Sequence, residues 1–182
     1  MTGSAFFGYG SLVNTATHDY ANPRQATLKG WRRVWQSTTL RDTAFLSVER
    51  AADQEIDGLV ADVSPAQWTD LDAREAAYAR VDVTAALGAD QPTVIYRVNA
   101  NLATATATNT PILLSYLDVV VQGYLHTFGP QGVARFFAST HGWDAPILDD
   151  RAAPRYPRRQ TLTAQEIALV DACLATRMEV PK

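Results

Sequence analysis

Phe6-Phe7-Gly8-Tyr9-Gly10-Ser11-Leu12 is an apolar run that ends in a Gly-x-Gly-Ser turn close to the N-terminus. Its aromatic residues predict a strand, and its glycines predict where the strand stops. Glycine lets backbone approach a ligand closely and adopt positive φ, so successive N–H groups can converge on one anionic or polarised oxygen. Chemistry at such a turn would be backbone chemistry, and an ordinary turn satisfies the same pattern. The stretch is not a dinucleotide-binding fingerprint, because the third glycine is missing and no βα crossover follows. It also lacks the second glycine of a Gly-x-Ser-x-Gly nucleophile elbow, which leaves a serine hydrolase a poor reading of Ser11.

Outward from this strand, at residues 5–9, further β-branched and aromatic runs predict strands over residues 27–37, 44–48, 56–63, 78–84 and 93–98. Their spacing suggests a small sheet or barrel. One helix interrupts them: Ser64-Pro65-Ala66-Gln67 places Ser at the N-cap, Pro at the first helical position and Gln three residues after the cap. Trp68, Leu71 and Ala76 follow at helical spacing, and the helix is expected to fray near Glu75. Residues 100–110 form a Thr/Ala/Asn-rich connection, after which the chain turns helical. Thr110 is placed to cap Pro111, and Leu113, Leu114, Leu117, Val120, Val121 and Tyr124 share one side of a helix that reaches Phe128. Gly129-Pro130 breaks it, and helices are predicted over residues 131–139 and 163–177. Strands first and helices last predict an α+β domain rather than a βαβ alternation.

A chain of 182 residues with 47% hydrophobic content suits one compact domain, since a domain of this size buries roughly 70% of the surface its unfolded chain exposes. A formal charge of −3 offers no clustered positive field for nucleic acid or anionic lipid. The expected partner is therefore a small molecule, with no nucleic acid and no membrane. The single Cys173 forms no intramolecular disulfide and reads as part of a helix face with Leu169, Val170 and Leu174. With no basic, apolar leader and no span of ~20 apolar residues, the expected location is cytoplasmic. His18, His126 and His141 are scattered without ligand spacing, so no metal site is expected. Trp31, Trp35, Trp68 and Trp143 read as packing residues. Residues 151–159 form the one basic cluster and follow Asp149-Asp150, so their charges are expected to pair locally or stay solvated. The prolines there predict an extended segment that could lie across the domain and help to close a pocket.

In Leu71-Asp72-Ala73-Arg74-Glu75-Ala76-Ala77-Tyr78-Ala79-Arg80, charges crowd a helix end that leads into a strand. Solvated surface charge is one reading. If Glu75 points inward, desolvation raises its pKa, as a general base working near neutral pH needs.

The two segments together resemble the γ-glutamylcyclotransferase-like family, whose members carry a Tyr-Gly-Ser turn after the first strand and later a Leu-Asp-x-x-Glu followed by Tyr-x-Arg. Here these are Tyr9-Gly10-Ser11-Leu12, Leu71-Asp72-Ala73-Arg74-Glu75 and Tyr78-Ala79-Arg80. The resemblance covers about residues 5 to 126 and extends to a helix carrying Tyr116. It implies a small mixed β-barrel flanked by helices, in a single domain over residues 1–182 whose helical C-terminal extension starts at about residue 129. It implies further that Tyr9, Gly10, Ser11 and Leu12 hold a γ-glutamyl group mainly through backbone, that Glu75 is the general acid/base, and that Tyr78 and Tyr116 contribute to binding. The implied activity is release of 5-oxoproline by attack of the substrate's own α-amine, without a cofactor. Leu12 and Arg74-Glu75 resemble branches that include glutathione-acting enzymes, and γ-glutamyl amino acids, γ-glutamyl amines and glutathione all stay open as substrates. The other reading is a catalytically silent module that binds a small ligand or a protein; a carboxylate that is costly to desolvate argues against it.

Overall fold

The computed structural model describes residues 4–106 and 109–178. The first three residues and part of the 100–110 connection lie outside the described residues. In chain order the elements are β1 (Ser4–Gly8), two 3₁₀ turns (Ser11–Val13 and Thr15–Thr17), β2 (Ala21–Thr38), β3 (Phe45–Val63), α1 (Gln67–Arg74), β4 (Tyr78–Asp82) and α2 (Thr84–Leu87). There follow β5 (Thr93–Val98), β6 (Ala103–Thr106), β7 (Ile112–Leu113), α3 (Leu114–Ala138), β8 (Thr140–His141), β9 (Ile147–Leu148) and α4 (Ala164–Met178).

The main sheet runs β4-β5-β1-β3-β2-β6, with β8 also on β2, so the α+β class expected from sequence is what forms. β1 lies inside this sheet, parallel to β5 and antiparallel to β3. Flanked on both edges, it is buried from Ala5 to Gly8 and reads as a continuous apolar run rather than an alternating one. The hairpin of β2 and β3 is longer than expected: the two strands expected over residues 44–48 and 56–63 form one strand that begins at Phe45. In the polar stretch between them Glu49 and Arg50 pair with Arg32 and Trp31, the ladder then shifts register and resumes at Glu55 opposite Lys29, and Arg32 meets Glu49 at 2.6 Å. Within β2 burial alternates, placing Trp31, Arg33 and Trp35 inward. A bulge between Lys29 and Trp31 uses Gly30 at φ 78°.

The sheet does not close into the expected barrel among the described residues. β6 pairs only with Gln36 and Thr38 of β2, while Arg33 and Val34 pair with β8. The edge of β2 is thus divided between two short strands, and neither reaches β4. The connection after Asn99 is also more ordered than its composition suggested, since it contains β6.

The helix ends differ from expectation in informative ways. Gln67, expected inside the first helix, begins α1, and its Oε1 accepts from the Ser64 amide at 3.0 Å, which is the backward half of a capping box. α3 starts at Leu114 rather than Pro111, because Ile112 and Leu113 pair with Ile147 and Leu148. Its first turn is capped by Asp150, which accepts from the Ser115 amide at 2.7 Å and the Ser115 hydroxyl at 2.6 Å. Gly129 breaks the helical path of α3 at φ 69° ahead of Pro130, as its sequence predicts. In α3, Gly123 lets the helix press on the segment after β1: a Cβ there would stand 2.7 Å from the Asn14 backbone nitrogen. Asn14 Nδ2 donates to Val119 O at 2.9 Å and to Gln122 Oε1 at 3.0 Å, which locks that contact. Trp31, Trp35, Phe6, Phe7, Tyr124 and Phe136 are fully buried at the centre of the core.

Candidate active site

The Tyr9–Leu12 turn leaves β1 at its C-terminal end and is fixed from three directions. Val13 N donates back to Gly10 O at 3.0 Å, closing the first 3₁₀ turn. The Tyr9 hydroxyl donates to Tyr96 O at 2.6 Å on β5. From below, Tyr9 O accepts from Arg33 Nε at 3.0 Å and from the Tyr124 hydroxyl at 2.9 Å. Arg33 is completely buried; it also reaches the Ser139 hydroxyl at 2.7 Å and lies 5.0 Å from the Tyr124 ring centroid. Its role in holding the turn was missed from sequence, because an arginine in an alternating strand reads as a solvent-facing residue.

Glu75 is the residue that ends α1, and its amide closes the last turn on Leu71 O at 2.9 Å. Tyr78 N donates to Glu75 O at 2.8 Å, so the turn into β4 points the carboxylate inward. The side chain is 14% exposed and meets Arg74 Nε at 3.2 Å. Burial, the largest effect, pushes the Glu75 carboxyl above its usual range, against the pull of Arg74 and the weaker pull of Arg158. Arg74 is itself held by Thr17 O at 3.1 Å and Ser11 Oγ at 3.3 Å. The helix end and the glycine turn are therefore tied together by one guanidinium.

Every residue singled out by sequence, Tyr9, Gly10, Ser11, Leu12, Glu75, Tyr78 and Tyr116, lines one recess. Leu46 and Tyr96 complete its wall and carried no sequence signal. The Tyr78 hydroxyl donates to Leu46 O at 3.0 Å, so it is committed to the wall. The Tyr116 phenol faces the Ser11 backbone, and burial raises its pKa more than that hydrogen bond lowers it. A Cβ on Gly10 would come within 2.6 Å of the Tyr116 hydroxyl, which is why the turn needs glycine there.

The recess alone is ≈ 30 Å³, and it opens into a cleft of ≈ 390 Å³ that shares Ser11, Leu46, Glu75, Tyr78 and Tyr116 with it. Beyond Glu75 the cleft is walled by Leu40, Phe45 and Leu102 and by Tyr156, Pro157 and Arg158. The basic segment thus borders the pocket, as its prolines suggested, yet its charges do not pair locally. Arg151 binds Asp118 and Asp171, each at 2.7 Å, and Arg155 binds Asp42 at 2.8 Å. Asp150 holds the segment in place by also accepting from the Arg155 amide at 2.8 Å, and the Tyr156 ring packs edge-on against Tyr116 at 5.0 Å. Among the described residues no group of three or more His, Cys, Asp or Glu side chains is arranged to hold a metal ion, and no helix is long and apolar enough to cross a membrane.

Solved structures with this architecture include one described as a gamma-glutamyl cyclotransferase, 14% identical, with a TM-score of 0.58 over 93% of this chain and 99% of that one. An uncharacterized protein from Homo sapiens is also 14% identical, with a TM-score of 0.60 over 94% of this chain and 99% of its own. YkqA from Bacillus subtilis is 17% identical, with a TM-score of 0.62 over 81% of this chain and 57% of its own. At such identities the likeness is one of fold. No curated protein sequence matches the chain significantly. A family model described as "Gamma-glutamyl cyclotransferase, AIG2-like" matches residues 6–134, a span that holds the glycine turn, Glu75 and Tyr116. On that match, the chain belongs to the gamma-glutamyl cyclotransferase, AIG2-like family.

Proposed function

We propose that this protein cyclises a γ-glutamyl amide, releasing 5-oxoproline and an amine, with Glu75 as the general acid/base. The observation that carries the reading is a buried carboxyl of raised pKa sharing one recess with the Tyr9–Leu12 turn. A γ-glutamyl group is larger than the recess, so it lies along the cleft with its γ-carbonyl at the turn and its α-amine toward Glu75. The Glu75 carboxylate takes a proton from the α-ammonium, and the freed nitrogen attacks the γ-carbonyl carbon. The nucleophile is already attached at the distance that closes a five-membered ring, so holding the chain folded supplies much of the acceleration. Negative charge then develops on the carbonyl oxygen, where amides of the turn and the Tyr116 hydroxyl can donate to it. The intermediate collapses with cleavage of the γ-amide C–N bond, and protonated Glu75 returns its proton to the departing nitrogen. No water is consumed and no cofactor takes part.

The test is 5-oxoproline release, measured by mass spectrometry over a panel of γ-glutamyl amino acids, γ-glutamyl amines and glutathione. Glu75→Gln keeps size and loses proton transfer, with an expected fall in turnover of about 10²–10⁴-fold. Near-normal turnover by a folded Glu75→Gln protein would remove Glu75 from this role. No release from any member would favour the binding-module reading.

A further inference from the structure

The cleft outside Glu75 is unequal in charge. Arg41, Arg74 and Arg158 border it, and among the described residues Glu75 is its single acidic wall residue. Arg74 is committed to Glu75 at 3.2 Å and to the Thr17 carbonyl, and Arg41 is exposed and leans over the Phe45 ring at 5.8 Å. Arg158 differs from both. Arg151 and Arg155 of its own segment are each paired with aspartates elsewhere in the fold. Arg158 is half-buried and lines the cleft; it acts on Glu75 across the cleft, but no ion pair holds it among the described residues. It is held there by the Asp150 clamp and by Pro157, next to Tyr156 on Tyr116. The neighbouring wall is apolar, through Leu40, Phe45 and Leu102. A half-buried guanidinium beside an apolar wall fits a group with a short apolar body and a terminal carboxylate, which it can bind in bidentate fashion. A terminal ammonium would meet like charge.

Resting on the cyclisation reading, we propose that the leaving group carries a carboxylate and that Arg158 is the residue that selects it. The substrates are then γ-glutamyl amino acids or γ-glutamyl peptides, and γ-glutamyl amines are disfavoured. Arg158 lies beyond the family match, which ends at residue 134, so this selectivity belongs to the chain's own C-terminal segment.

The experiment compares γ-glutamyl-alanine, its C-terminal carboxamide and γ-glutamyl-1,4-diaminobutane by kcat/KM for 5-oxoproline release, in the unaltered protein, Arg158→Gln and Arg158→Lys. The expected preference for the acid over the carboxamide is about 10-fold, the size of one hydrogen bond to a charged group. It should fall to near unity in Arg158→Gln, be partly kept in Arg158→Lys, and act mainly on KM. The ratio is taken within each protein, so loss of active material does not affect it. An acid-to-carboxamide ratio unchanged by Arg158→Gln would overturn the proposal, including the case where Arg158 instead holds the α-carboxylate common to all three compounds. Turnover of the carboxamide or diamine equal to that of the acid would overturn it while leaving cyclisation standing. Turnover of none of the three, with glutathione and the wider γ-glutamyl panel inert as well, would withdraw both readings.

Discussion

Replacing Asp150 with alanine removes three hydrogen bonds at once, from the Ser115 amide, the Ser115 hydroxyl and the Arg155 amide. The first two cap α3, and the third fixes the segment that carries Tyr156 and Arg158. A lost cap costs about 1 kcal/mol and a hydrogen bond to a charged acceptor about 1.5–3. Water can re-solvate part of what is exposed, so the sum is held to about 3 kcal/mol, or roughly 6–12 °C in Tm for a chain of this length. Burial pushes the Asp150 carboxyl up, but the hydrogen bonds from Ser115 and Arg155 together outweigh it and hold the carboxyl below its usual range. For a depressed acid the contribution is complete above the unfolded pKa and is lost as pH falls through the folded one. The gap between the two proteins should therefore be constant near neutrality and close below about pH 3. Thermal unfolding monitored by circular dichroism from pH 7 down to about pH 2 measures this, and limited trypsin digestion reports on the segment, with new cleavage after Arg155, Arg158 or Arg159. A Tm within about 2 °C of the unaltered protein, with an unchanged tryptic pattern, would refute the reasoning.

Glu75→Gln should stabilise the fold at neutral pH while abolishing turnover. Its folded pKa is raised, so its contribution is complete below the ordinary glutamate value and is lost as pH rises through the folded one. Urea midpoints of the two proteins should converge near pH 4 and separate, with the variant higher, toward pH 7. Gly10→Ala drives a Cβ to 2.6 Å from the Tyr116 hydroxyl and 3.2 Å from Leu46 Cδ2, at an expected cost of about 1–3 kcal/mol. Tyr116→Phe in the same chain should recover part of that cost, which a double-mutant cycle by chemical denaturation reads directly.

Local signals carried much of the fold, while the resemblance carried most of the inner site. The glycine turn and the break at Gly129 were legible because each depends on a few adjacent residues, whereas the residues around Glu75 fit a surface charge as well as an inward one. What was not legible depends on distant partners. Residues 44–48 and 56–63 look like two strands because the polar stretch between them spans a register shift opposite Gly30, and only the pairing of both halves with β2 makes them one. Pro111 looks like a helix start until Ile147 and Leu148 draw the chain into a two-stranded ladder. Open and closed sheets have the same strand pattern, so the division of the β2 edge between β6 and β8 left no local mark. The outer cleft depends on Asp150 reaching Ser115, a contact with no signature at either residue.

Arg33, buried beneath Tyr9, has a consequence for how the site responds to its surroundings. A charge shielded from water is screened by dissolved ions far less than one at the surface. The positive potential under the glycine turn is therefore less sensitive to salt than that of the exposed Arg41 on the cleft wall. Under the proposed cyclisation, added salt should weaken attraction of a charged group at the outer cleft before it weakens stabilisation of charge at the turn.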